Sequence, residues 1–201
     1  MINKIVLASG NKGKLREFNQ VLGQMDVEVV PQSDFNVSDA DETGLSFVEN
    51  AILKARHASQ ITGLPALADD SGLEVDALQG APGIYSARFS GPGASDAENN
   101  AKLLELLEDL PAEKRTARFR CLLVFMRHAE DPTPLICQGT WEGQILTEAR
   151  GDNGFGYDPL FLIPDLDKAS AQLPPEQKNV LSHRGQAVAE LISRIKPYLQ
   201  V

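Results

Sequence analysis

Two adjacent carboxylates, Asp69 and Asp70, interrupt an apolar stretch and constrain the fold more than any other feature of the chain. Leu64–Ala68 before them reads as a short buried strand. Ser71-Gly72 after them reads as a turn, and the alternation Leu73, Val75, Ala77 as a half-buried strand. The pair is therefore expected at a strand end, where ligands bind in α/β proteins. Like charges at consecutive positions repel. A hard cation such as Mg²⁺, which takes carboxylate oxygens alongside substrate phosphates, would neutralise them. On spacing alone, an Asp-rich turn with solvated carboxylates is the simpler reading.

A second unit opens the chain. Ile2–Ala8 reads as a buried strand, Ser9-Gly10-Asn11-Lys12-Gly13-Lys14 as a loop, and Leu15–Leu22 as a helix with Gly23 as its stop. Backbone N–H groups at a helix start favour an anion, and Lys12 and Lys14 add charge. The loop is not a Walker A motif, which needs Gly where Ala8 stands and Ser or Thr where Leu15 stands. An ordinary strand–helix turn remains open.

Further on, Val27–Val30 reads as a strand and Asp34–Glu42 as an acidic loop. Ser46 and Glu49 form a capping box for a helix that runs to about Thr62 and stops at Gly63, with Asn50, Lys54 and His57 off its apolar face. Gly80–Gly93 reads as an ordered loop. Ser95 and Glu98 form a second capping box, before a helix expected to bury Ala101, Leu104, Leu107 and Leu103. Thr116–His128 reads as a strand that alternates and then becomes buried on both faces. Leu135–Gly139 and Gly143–Leu146 read as two strands about a bend near Trp141, and Leu160–Ile163 as another. Between the last two, Gly154-Phe155-Gly156-Tyr157-Asp158 displays aromatic rings on an adaptable backbone, suited to stacking on a nucleobase. A tight turn with its rings packed inward fits the same residues. Lys178, His183 and Arg184 precede the last helix; near Phe155 they would donate to oxygens on a base, and as surface charges they carry no meaning.

With 201 residues the chain holds one large domain or two small lobes. A net charge of −9 disfavours general nucleic-acid or anionic-membrane binding, and obliges any polyphosphate site to rely on local lysines and a metal. Two cysteines without CxxC spacing argue against zinc and disulfides and fit a reducing cytoplasm. No segment has the length of a signal or membrane-spanning helix.

Five segments stand together: SGNKGK at 9–14, ETG-x-x-F-x-ENA-x-x-KA at 42–55, ADDSGLEVDAL-x-GAPGIYSAR at 68–88, GFGYDPLF at 154–161 and SHRGQA at 182–187. This set closely resembles the inosine triphosphate pyrophosphatase family, in particular its bacterial RdgB-like dITP/XTP pyrophosphatases. The resemblance covers nearly the whole chain. It implies one functional domain over residues 1–201, an elongated two-lobed mixed α/β fold with a long curved sheet and a cleft between the lobes, and a cytoplasmic homodimer. It implies Mg²⁺-dependent hydrolysis of non-standard purine nucleoside triphosphates (ITP, dITP, XTP) to monophosphate and pyrophosphate. By motif, Ser9, Gly10, Asn11, Lys12, Gly13 and Lys14 would wrap the triphosphate. Glu42 and Asp70 would hold Mg²⁺, Asp70 would also act as the base, and Ser71 would contact substrate. Phe155, Gly156, Tyr157 and Asp158 would hold base and sugar, Lys178, His183 and Arg184 would read the purine edge, and Lys54 would add phosphate charge. A pyrophosphatase for another modified nucleotide and a nucleotide sensor without turnover are the competing readings.

Overall fold

The computed structural model describes residues 1–200. Among these residues, β1 (Lys4–Leu7), α1 (Lys12–Leu22), β2 (Glu28–Pro31), α2 (Phe47–Thr62), β3 (Ala66–Val75) and α3 (Asp96–Leu106) come first. Then follow β4 (Thr116–Met126), β5 (Leu135–Ile145), β6 (Phe161–Ile163), β7 (Lys168–Ala169), α4 (Pro175–Leu181), α5 (His183–Arg194) and α6 (Lys196–Leu199). The strands form one mixed sheet in the order β2-β1-β3-β4-β5-β6-β7. β1 pairs parallel with both β2 and β3, as strand–helix–strand connections require; β6 pairs antiparallel with β5 and β7.

The chain forms two compact units. The first takes Met1–Asp70, Leu122–Gln138 and the chain from Ala187 onward; the second takes Ser71–Cys121 and Gly139–Gln186. In the first, Val6, Val30, Ala66, Ala68, Val124 and Met126 pack against Ala51, Ala55 and Ala58. Those three alanines recur at helical spacing, so α2 presents a smooth apolar stripe to the strands. In the second, Leu73, Phe119, Trp141, Tyr157 and Phe161 pack around Leu103 and Leu107. Gly143 permits this packing: a Cβ there would meet the Phe161 ring and the Leu162 carbonyl.

Three expectations are corrected. Ser71-Gly72 is no turn, because Gly72 adopts no positive φ and β3 runs unbroken from Ala66 to Val75, ending before Ala77. Asp69 and Asp70 thus lie within a strand. They do follow the end of a neighbouring one, since Leu7, the last residue of β1, pairs with Leu67. Likewise β5 is one strand through Gly139 and Gly143, its burial alternating along its length, with Trp141 buried rather than at a bend. Leu103 on α3 and Leu107 at its C-terminal cap are fully buried, while Ala101 is exposed. Other readings hold: β4 alternates and then is buried on both faces, and α2 starts on the Ser46 cap and ends at Gly63 in the left-handed region.

The turn after β4 depends on one carboxylate. Asp131 is fully buried and accepts from the Arg127 backbone at 3.0 Å, its guanidinium at 2.6 Å and the Thr133 N–H at 3.0 Å. The Arg127 bonds hold its carboxyl well below the usual range, burial opposing and the two backbone donors assisting. Asp131→Ala is expected to cost about 2–3 kcal/mol in urea denaturation at pH 7. Because the folded value is depressed, this contribution is present above the ordinary carboxyl value of about 3.9 and is lost as pH falls toward the folded value. The difference between variant and parent is therefore expected to narrow in acid.

Candidate active site

Each unit carries a pocket, and most of the predicted residues divide between the two. In the first unit, Ala8, Ser9, Gly10, Lys14, Gln32, Asp39, Glu42, Lys54 and Asp69 surround a cavity of about 290 Å³. Its floor is β3. Asp69 is buried, and its carboxylate accepts from Lys14 Nζ at 2.6 Å. Asp70 Oδ1 accepts from Lys54 Nζ at 3.2 Å, and Lys54 also reaches Glu42 at 3.0 Å. The Lys54 ammonium therefore bridges the two carboxylates expected to hold a metal.

Helix α2 explains how Glu42 reaches this place. Asn50, Lys54 and His57 share a face. Asn50 Oδ1 accepts the Gly44 N–H at 2.9 Å, Lys54 takes Glu42, and the His57 ring bonds the Ser38 carbonyl at 3.0 Å. One helix face thus ties down the loop 38–44. Asp41 is exposed, so the geometry favours Glu42 over its neighbour. Glu49 is occupied as the cap, accepting from Leu45 N–H and Ser46 Oγ–H.

The loop after β1 differs from expectation in its donors. Asn11 caps α1, and its side chain accepts the Gly13 and Lys14 N–H groups at 2.8 and 3.1 Å. Those amides are therefore committed internally. Ser9, Gly10 and Lys14 line the cavity; Asn11, Lys12 and Gly13 do not.

Charge decides what this pocket can hold. Lys14 and Lys54 face Asp39, Glu42, Asp69 and Asp70, so carboxylates outnumber ammonium groups. Burial raises the Asp70 pKa; Lys54 offsets part of this, and the Glu42 and Asp69 carboxylates add to it. For Lys54, burial works against the ammonium but the Asp70 and Glu42 carboxylates outweigh it, and its pKa is raised. Asp70 Oδ2 is buried without a hydrogen-bond partner. An oxygen-seeking cation fits an orphaned carboxylate oxygen beside a second carboxylate. Among the described residues no three His, Cys, Asp or Glu side chains converge as a metal site. A two-carboxylate set of this kind suits Mg²⁺, which is held by one or two carboxylates with waters and substrate phosphates completing its shell.

In the second unit a cavity of about 170 Å³ collects Ser71 together with Phe155, Gly156, Tyr157, Asp158, Lys178, His183 and Arg184, the residues expected around base and sugar. Ser86, Asp96, Asn99 and Phe119 line it as well and were not foreseen. The two aromatics of the glycine loop part company: Phe155 is 67% exposed, whereas Tyr157 is 4% exposed and donates its hydroxyl to the Ser86 carbonyl at 2.7 Å. Asp158 is equally committed. Its buried carboxylate accepts from Phe155 N–H at 2.8 Å, Ser170 Oγ–H at 2.8 Å and Lys178 Nζ. That bond aims Lys178 at the loop, its ammonium 5.1 Å from the Phe155 ring centre. The His183 ring stacks on Phe119 at 4.8 Å. Gly185 permits the tight junction of α4 and α5 that presents His183 and Arg184, since a Cβ there would overlap the Asn179 carbonyl.

Acid–lysine chemistry in one pocket and an exposed ring with basic neighbours in the other are the furnishings of a nucleotide-handling α/β enzyme. The chain belongs to the Ham1 family, whose sequence profile matches residues 5–194. It is 60% identical to the dITP/XTP pyrophosphatase of Photobacterium profundum over 97% of this chain and 99% of the relative. It is 62% identical to that of Shewanella oneidensis over 97% and 95%. Among solved structures, a HAM1 protein from Coxiella burnetii superposes with a TM-score of 0.94 at 50% identity, covering 98% of this chain and 100% of that one.

Proposed function

We infer that this protein is a nucleoside-triphosphate pyrophosphatase that hydrolyses ITP, dITP and XTP to the monophosphate and pyrophosphate, clearing non-standard purines from the nucleotide pool. The observation that carries this reading is the path of β3: Asp69 lines the acid–lysine pocket, and Ser71, two residues on, lines the aromatic pocket. A triphosphate tail would lie beside Asp69 and Asp70, and a purine base beside Phe155. The whole chain then works as one functional domain.

Glu42 and Asp70 would hold Mg²⁺, which when bound would neutralise charge developing on the phosphates. When the nucleotide binds, the lysines of the pocket exchange partners. Lys14 and Lys54 leave their carboxylates for phosphate oxygens, with Ser9 and Gly10 alongside. Asp70 takes the proton of the water that attacks opposite the pyrophosphate leaving group. Phe155 stacks on the purine. Lys178, His183 and Arg184 donate to the oxygen at position 6; adenine, which carries an amino group there, leaves those donors unpaired. Asp158 and Tyr157 serve by holding the loop. The enzyme acts in the cytoplasm as a homodimer, on free nucleotides rather than on nucleic acid or membranes.

Purified protein with Mg²⁺ is expected to convert ITP, dITP and XTP to monophosphate and pyrophosphate. ATP should be cleaved at least about a hundredfold less efficiently in kcat/KM, and chelation of the metal should stop turnover. Diphosphate and phosphate as products, or ATP and GTP cleaved as fast as ITP, would refute the reading.

A further inference from the structure

The exposed ring of Phe155 has little packing to fix its direction, so the backbone must fix it. Gly154 at φ +80° and Gly156 at φ +61° flank it, and neither resists rotation as a residue with a side chain would. Three bonds remove that freedom. Asp158 accepts the Phe155 N–H at 2.8 Å, from within the loop itself. Asp96 Oδ2 accepts the Gly156 N–H at 2.7 Å, and Asn100 Nδ2 donates to the Gly156 carbonyl at 2.8 Å. Residues 96 and 100 lie four apart on one face of α3. The start of that helix is itself fixed by the reciprocal Ser95–Glu98 capping box.

We propose that Asp96 and Asn100 are positioning residues for base recognition, holding Gly156 by both its polar groups and so aiming the Phe155 ring before a nucleotide arrives. This rests on the stacking role inferred above for Phe155. Hydrogen bonds made at an exposed loop add little to folding, because water competes for the same groups. Two side chains converging on one glycine therefore do more for the direction of the loop than for the stability of the unit. A loop ordered in advance spares the nucleotide the entropic cost of ordering it. If the clamp is released, only a fraction of molecules present the ring correctly. The apparent affinity then falls by that fraction, while turnover at saturation is kept.

Steady-state hydrolysis of ITP by F155A, D96A, N100A, D96N and the double variant F155A/N100A tests this. F155A should raise KM. D96A and N100A should each raise KM about tenfold with kcat within about twofold. D96N, which keeps an oxygen for the Gly156 N–H, should stay near the parent. Inhibition by inorganic tripolyphosphate, which has no base, should be unchanged throughout. Adding N100A to F155A should raise KM no further.

If F155A raises KM but D96A and N100A do not, or if N100A acts equally in the F155A background, the clamp is wrong. A parallel loss of tripolyphosphate inhibition, or a fall in kcat and melting temperature without a rise in KM, would also overturn it, marking these residues as props of α3. If F155A leaves KM unchanged, the stacking reading itself fails and the clamp with it.

Discussion

Asp70→Asn is expected to lower turnover of ITP by about a hundredfold or more while the protein remains folded. The substitution is nearly isosteric. Lys54 keeps an oxygen at the position of Oδ1, which now lies 3.2 Å away, and it keeps Glu42 at 3.0 Å. What disappears is charge and basicity at Oδ2, a buried oxygen without a protein donor. The Asp70 carboxylate is the group inferred above to take the proton of the attacking water. Its burial among the Glu42 and Asp69 carboxylates makes it a stronger base than an ordinary surface carboxylate, since each of those effects raises its pKa. An amide in the same place accepts no proton and binds a cation less well. Nor should the fold suffer, because the neutral side chain is easier to bury than the charged one. Rate measurements at saturating ITP and Mg²⁺, alongside a thermal melt, check both halves. Turnover near that of the parent would remove Asp70 from the reaction, whatever its place in the pocket.

The residues that local pattern reveals and those it conceals differ for a physical reason. The caps at Ser46 and Ser95, the stop at Gly63 and the changing alternation of Thr116–Met126 are visible in sequence because each depends on neighbours within a few positions. Gly72 reads as part of a turn, and Gly139 and Gly143 as the facing ends of two strands about a bend, yet all three lie inside unbroken strands. A glycine in a strand carries no local sign of what packs against it; at Gly143 that is the Phe161 ring, some twenty residues away in sequence. The anion-binding expectation for the start of α1 also missed a local competitor, because Asn11 turns back and takes the amides. Lys54 and Glu42 stand in one sequence motif, but only the fold reveals that a single ammonium joins Glu42 to Asp70. Asp96 and Asn100 bond a residue some sixty positions away, which no local periodicity can signal.

The glycine loop supplies the second large effect. Gly154→Ala is expected to destabilise the protein by about 3 kcal/mol and to raise KM for ITP by more than tenfold. At φ +80° an L side chain is already strained. The added Cβ would also overlap Asp158 Oδ2 and come within 3.0 Å of Lys178 Nζ. Neither can move without loss. The Asp158 carboxylate is buried and holds Ser170, Phe155 and Lys178 together, so displacing it strands several donors at once. Gly156 offers the control. Its φ is also positive, at +61°, but no atom lies near the Cβ it lacks. Gly156→Ala should therefore cost backbone strain alone, about 1–2 kcal/mol. Urea denaturation and ITP kinetics on the two variants separate strain from collision. Equal losses would mean that conformation alone matters in this loop. The larger loss at 154 would identify the Asp158 carboxylate as the post on which both Phe155 and Lys178 are mounted.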